Sequence, residues 1–185
     1  MNIYETERLL IRRWHEKDAH DLYEYASDNE VTRFLRFPAY MSLDDAVSRI
    51  KSMNESYSQF ANGDLQTEID FAIEQKITGK VIGSIGFVGY KENAGRSIEI
   101  GYIMNPQHQG KGFMTEALVG MFKYVVGNDL ALRIEAKHDI ENKASGRVMQ
   151  KAGMTFEGIR RKGTSNNTNS RADCATYAIL CEEVK

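Results

Sequence analysis

Apolar positions change their spacing several times along this chain, and the changes divide it into elements. Leu9 to Trp14 has the character of a strand, and from Asp18 to Asp28 the residues Ala19, Leu22, Tyr23 and Ala26 fall on one helical face. A clearer helix follows. Ser42 stands three residues before Asp45 in a near capping box, and Ala46, Val47, Ile50, Met53, Tyr57 and Phe60 recur at helical spacing until Asn62-Gly63. Strand character returns at Thr67 to Gln75, Lys80 to Lys91 and Ser97 to Met104. The turn pairs Thr78-Gly79 and Asn93-Ala94-Gly95 between them predict an antiparallel meander. A helix is predicted over about 112 to 126, a strand over Leu130 to Ala136, and a helix over Asn142 to Ala152 closed by Gly153. Strands at Thr155 to Lys162 and Cys174 to Glu182 would flank a polar hairpin tip at 163–173. No repeat or linker interrupts the pattern, so the expectation is one α+β domain over residues 1–185.

Chemistry concentrates between Asn105 and Leu118, where the chain spells NPQHQGKGFMTEAL. This stretch joins an alternating run (Ile98, Ile100, Tyr102, Met104) to a helical one (Leu118, Met121, Phe122, Val125), so Gln107 to Gly112 turn a strand into a helix. Such a corner binds anions. First-turn N–H groups have no intrahelical partner, the helix dipole adds positive charge, and Gly110 and Gly112 carry no Cβ to hold a pyrophosphate away. Lys111 can add a point charge. Two better-known phosphate loops fail on spacing: residues 110–115 read GKGFMT, with Gly112 where a P-loop needs Ser or Thr and Thr115 where a dinucleotide fingerprint needs its third Gly.

What the stretch does resemble is QxxGxG, set here by Gln107, Gly110 and Gly112, the acyl-coenzyme-A pyrophosphate loop of the GNAT superfamily of N-acetyltransferases. The resemblance continues through Glu99-Ile-Gly-Tyr102, Asn105-Pro106, Thr115-Glu116-Ala117, Asn142xxSer145, Lys151-Ala-Gly-Met154, Glu157-Gly158 and Asp173xxxTyr177. With the opening Thr6-Glu-Arg-Leu-Leu-Ile-Arg12, the order is similar to the RimJ/RimL-type branch, the ribosomal-protein N-terminal acetyltransferases and their relatives. The resemblance implies a mixed, mostly antiparallel, seven-stranded sheet flanked by about four helices and splayed between its fourth and fifth strands. It further implies acetyl-coenzyme A as cosubstrate, with its pantetheine arm in that gap against Ile103 and Met104. The remaining coenzyme contacts it implies are Gln107, Gln109, Gly110, Lys111, Gly112, Phe113, Met114, Thr115, Asn142 and Ser145. The acceptor would be a primary amine, on a protein N-terminus or a small molecule.

Transfer from a thioester to an amine requires a neutral amine, a stabilised oxyanion and a way for the thiolate to leave. Glu99, between Ile98 and Ile100 on the strand entering the corner, is the leading base, because partial desolvation would strengthen it. Its bland alternative is a strand-edge acid paired with Arg96; Asp70 and Glu68 on the facing strand are lesser bases, and a water relay could serve any of the three. Asn142 and Ser145 share one face at a helix start. In many members of the superfamily a Tyr stands seven residues after that Asn, but here the position is Met149, which shifts support of the departing sulfur to Ser145. The oxyanion would meet a backbone N–H near Ile103 or Met104. Tyr102, Trp14, Phe34 and Phe37 either line the acceptor pocket or belong to the core, and His108 and His138 are expected to face solvent.

Composition removes competing classes. Charged residues are 27% of the chain and the formal net charge is −2, so no basic field points to a nucleic acid. No apolar run reaches the roughly 20 residues of a membrane span, and acids occur within the first seven positions instead of a signal peptide, so a cytoplasmic protein is expected. The four His and two Cys show no metal-ligand spacing, and no metal is expected. Cys174 and Cys181, seven apart on one predicted strand, would face opposite sides and cannot pair within it. Their distance from the corner argues for direct transfer in a ternary complex and against an acyl-enzyme. A non-catalytic acyl-coenzyme-A sensor, a transferase using another acyl group, and a homodimer all remain open to the sequence.

Overall fold

The computed structural model describes residues 2–61, 66–91, 96–167 and 170–185, so the turns proposed at Asn62-Gly63 and Asn93-Ala94-Gly95 lie outside the described residues. The chain begins with strands β1 (Asn2–Glu5) and β2 (Leu9–Arg12), then helices α1 (Ala19–Ala26), α2 (Asn29–Thr32) and α3 (Leu43–Ala61). Strands β3 (Ile69–Gln75), β4 (Val81–Lys91) and β5 (Ser97–Met104) lead into helix α4 (Phe113–Gly127). Strand β6 (Arg133–Asp139), helix α5 (Lys143–Lys151), β7 (Thr155–Ser165) and β8 (Arg171–Leu180) complete it. All eight strands join one sheet in the order β1-β2-β3-β4-β5-β6-β8-β7.

Burial explains that order. Along β4 every residue from Val81 to Phe87 is buried, as a strand covered on both faces requires, whereas β7 is exposed along most of its length and lies at the sheet edge. Helix α3 buries Ala46, Ile50, Met53 and Tyr57, one stripe at helical spacing, and stacks the Tyr57 ring on Phe71 of β3 with centroids 5.9 Å apart. Arg12, 3% exposed, is fully occupied: it reaches Asp18 at 2.7 and 3.0 Å and Glu74 at 2.6 Å.

One pair differs from the rest. β5 and β6 run parallel and are joined only at Ser97↔Arg133, Ile98↔Ile134 and Glu99↔Glu135. Beyond them β5 continues on β4 as far as Gly83↔Met104, while β6 continues on β8 as far as Asp139↔Cys174. The two strands therefore open into a V, between the fourth and fifth strands of the seven expected.

Several boundaries moved, each for a local reason. The eighth strand is β1, a four-residue edge on β2 too short to show a period. The helix expected at 18–28 closes at Ala26, and beyond it Asp28 accepts Glu30 N–H at 2.8 Å and starts the separate α2. β6 starts at Arg133 rather than Leu130 because Asp129 takes a left-handed φ of 48° and Leu130 N–H closes α4 on Val125 O at 3.0 Å. β2 ends at Arg12 and β8 at Leu180, while the 155–165 and 171–180 strands extend into the polar tip. Cys181 thus sits in a 3-10 turn, and both cysteines are free thiols. Among the described residues no helix is long and apolar enough to cross a membrane.

Candidate functional site

At the end of β5 the chain makes a 3-10 turn, Pro106–His108, started by Asn105, whose side chain accepts Gln107 N–H at 3.0 Å. Gly110 and Gly112 follow with φ of 74° and 81°, left-handed values that favour glycine. Gly112 is the N-cap of α4 and offers no side chain to the first-turn N–H groups, so these donors remain for an anion. The loop's polar side chains, by contrast, are engaged by the protein itself. Gln107 Nε2 donates to Glu24 (3.1 Å), Gln109 Nε2 to Met104 O (3.1 Å) and Lys111 Nζ to Gln107 O (2.8 Å). Phe113 and Met114 are buried, which leaves only their backbone for a ligand. The corner is a main-chain site.

Arg8, just before β2, fastens it from outside. Its guanidinium donates to Lys111 O at 3.1 Å, pairs with Glu116 at 2.6 Å and lies 4.5 Å from the Phe113 ring centroid. Glu116 also accepts Thr6 Oγ1 (2.5 Å) and Arg8 N–H (2.9 Å). Burial works against the Glu116 charge, but these hydrogen bonds outweigh it and hold the carboxyl below its ordinary value. The sequence showed Arg8 and Glu116 only as letters of a motif; their mutual role was missed. Gly112 and Thr115 edge a second hollow, of about 760 Å³, between α4 and β1.

The V itself forms a cleft of about 210 Å³ that brings Glu99, Ile103, Asn142 and Ser145 together. Glu99, with 14% of its side chain exposed, is ion-paired to Lys137 Nζ at 2.9 Å rather than to Arg96, which pairs with Asp129. Lys137 is a cleft residue the sequence reading did not single out. Asn142 caps α5, accepting Ser145 N–H on Oδ1 at 3.2 Å. Ser145 Oγ donates to Tyr102 Oη at 3.0 Å, and Tyr102 Oη donates back to Ser145 O at 3.1 Å, so these two residues bridge the open part of the V. Burial pushes the Tyr102 phenol well above its ordinary value and keeps it protonated. Met149 is buried below them. His138 does not face solvent as expected: its Nδ1 lies 2.7 Å from Asp139 O, its ring stacks on Tyr177, and Nε2 is buried without a protein partner. His108 is half-buried, with its Nδ1 shielded.

On the far wall Trp14, Phe34, Phe37 and Tyr40 stand with Arg49 and Asp70. Trp14 and Tyr40 therefore reach the cleft as well as the core, while Phe34 and Phe37 line the cleft. Asp70 accepts Trp14 Nε1 at 2.9 Å and Arg49 Nη2 at 3.3 Å.

Residues 8–155 match the family described as the acetyltransferase (GNAT) domain. The chain belongs to that family. It is similar to YoaA, an uncharacterized N-acetyltransferase of Bacillus subtilis (strain 168), with 31% identity over 172 residues, 90% of this chain and 93% of that protein. It is also similar to the ribosomal protein uS5-alanine N-acetyltransferase of Escherichia coli (strain K12), with 27% identity over 163 residues, 84% of this chain and 79% of the relative. The solved structure of RimL, a ribosomal L7/L12 α-N-protein acetyltransferase in complex with coenzyme A, matches with a TM-score of 0.81 at 18% identity. That match covers 97% of this chain and 98% of the other, and it is a likeness of fold. The chain is thus a GNAT acetyltransferase, similar along most of its length to a ribosomal-protein N-acetyltransferase. In this GNAT domain the corner offers main-chain donors suited to an anion, and the V leaves a strand edge unpaired beside it.

Proposed function

We propose that this acetyltransferase, as a single domain over residues 1–185, takes acetyl-coenzyme A and passes the acetyl group directly to a primary amine while both are bound. One observation carries the reading: an uncapped helix terminus stands at the end of a strand whose far edge is unpaired, and that edge borders a cleft holding a carboxylate and two hydroxyls. The residues fit the coenzyme's chemistry. First-turn N–H groups after Gly112 take the pyrophosphate, and the edge of β5 turned away from β4, as far as Met104, takes the amide-bearing arm, with Gln109 Nε2 giving up Met104 O. The coenzyme supplies an activated acetyl thioester, and the small cleft suits a two-carbon acyl group better than a long one.

The chain's own groups divide the remaining work. The amine nitrogen forms its bond to the acetyl carbon, the carbon–sulfur bond breaks, and the amine's proton passes to Glu99, whose position Lys137 fixes. A backbone N–H near Ile103 or Met104 meets the oxyanion. Ser145 turns its one hydroxyl proton from Tyr102 Oη to the departing sulfur and donates a hydrogen bond to it. A serine hydroxyl cannot fully protonate a thiolate with a pKa of about 8–9, so its contribution is to stabilise charge. Neither cysteine lines the cleft: Cys174 is fully buried, and Cys181 donates its thiol to Ala131 O at 3.2 Å, with burial pushing its pKa up. Both placements support direct transfer.

Initial velocities with both substrates varied should give intersecting lines in double-reciprocal form. Parallel lines or a trapped acyl-protein would overturn direct transfer. Calorimetric binding of acetyl-coenzyme A with no thiol release on any amine would instead make the chain a sensor.

A further inference from the structure

Two arginines are held by acids inside this fold, and they differ in a telling way. Arg12 is buried and uses both edges of its guanidinium, on Asp18 and on Glu74. Arg49, 31% exposed, makes a single hydrogen bond among the described residues, to Asp70 Oδ2 at a long 3.3 Å. A guanidinium carries five N–H donors, so the remaining ones have no protein partner and the group lines the cleft.

Asp70 is itself well held. Its Oδ1 accepts Trp14 Nε1, its backbone carbonyl accepts Tyr57 Oη at 3.1 Å, and Tyr57 Oη in turn accepts Trp14 N–H at 2.9 Å. Asp70 therefore anchors Arg49 from one corner and leaves the planar fork free. Around the fork stand Trp14, Phe34, Phe37 and Tyr40, and burial pushes the Tyr40 phenol up to about 12, which keeps it a neutral donor. Glu68, the other acid on this wall, is exposed and makes no ion pair with Arg49 among the described residues. The cleft volume, about 210 Å³, is below the roughly 300–1,000 Å³ of common ligand pockets.

We infer that the acceptor is a small primary amine that carries its own carboxylate, gripped by the free edge of Arg49, with an apolar group against the aromatic wall. The inference rests on the transferase reading above and names its substrate class. A carboxylate fits a guanidinium edge in two parallel hydrogen bonds, a match that neither an amide nor a peptide bond can reproduce. Asp70 would then act as the positioning residue that turns Arg49 toward the ligand.

The test compares amines of one skeleton: free α-amino acids with aromatic or aliphatic side chains, their carboxamides, the decarboxylated amines, and short peptides beginning with the same residues. Thiol release from acetyl-coenzyme A should favour the free acids at least ten-fold in kcat/KM. Arg49→Gln should reduce that preference to within two-fold, chiefly by slowing the acids, and Arg49→Lys should restore part of it. Equal rates for acids, amides and peptides in the parent protein overturn the inference without any variant. So does an Arg49→Gln effect that is the same for acid and amide. Calorimetric titration of the acids and amides into the parent protein reads the same preference without turnover, so a failure of the transferase reading remains distinguishable. No difference there overturns the inference as well.

Discussion

Between Asn105 and Glu116 the groups left free for a ligand are main-chain N–H donors from one contiguous run. The wall around Arg49 instead collects side chains from after β2, from the loop after α2, from α3 and from β3. The first region is defined by backbone conformation: two left-handed glycines and a helix start, with most polar side chains turned back onto the protein. The second is defined by which side chains the fold leaves unsaturated. Replacing a side chain at the corner should therefore matter mainly by what it adds, and replacing one on the wall by what it removes.

The largest expected effect tests whether the two arginines really differ. Arg12→Met would leave Asp18 buried without its partner and should cost about 3–5 kcal/mol of stability in denaturant unfolding. Arg49→Gln should be far milder, and equal losses would remove the contrast. Next comes Glu99→Gln, expected to lower kcat/KM by roughly 10²-fold at pH 7 with coenzyme affinity intact, the deficit shrinking as pH rises and free amine becomes plentiful. A variant with the parent's full pH–rate profile would return Glu99 to a structural partner of Lys137.

Ser145→Ala should reduce kcat by roughly 10- to 10²-fold while calorimetry finds coenzyme affinity little changed. If the protein only melts earlier, Ser145 serves α5 and not the sulfur. Gly112→Glu should weaken coenzyme binding about ten-fold, near 1.4 kcal/mol, by setting a side chain and negative charge at the anion corner. Unchanged affinity in a folded variant would move the pyrophosphate elsewhere. The smallest effect is a pH dependence. The Glu116 carboxyl is held below its ordinary 4.5, so its contribution is present above that value and fades as pH falls through the lowered one. The melting temperature of Glu116→Gln should lie below the parent's at pH 7 and approach it as the pH falls well below the usual carboxylate range; a constant gap would show that the charge is not what anchors Arg8.

Much of this was legible beforehand. β5 was read to the residue and α4 and α5 to within one or two, because long runs at one period outweigh local accidents. β1 escaped because four residues carry no period, and the start of β6 moved because the chain first has to close α4 on Val125. At the site, the glycines and Asn142-Ser145 were visible as local spacing. Lys137 opposite Glu99, Tyr102 opposite Ser145, and Arg8 on Glu116 were not, since each pair is separated by 38 or more positions and carries no shared period.

The sequence by itself determined what local rules determine: most of the elements and the strand-to-helix corner. These follow from dihedral preference and from the spacing of apolar residues, both set within a few positions. Only the tertiary structure decided that β5 and β6 part after Glu99, that Glu99 meets a lysine, and that Arg12 is saturated while Arg49 is not. Two arginines have the same chemistry in a sequence. Which of their donors remain free depends on the acids that distant segments bring within hydrogen-bonding reach.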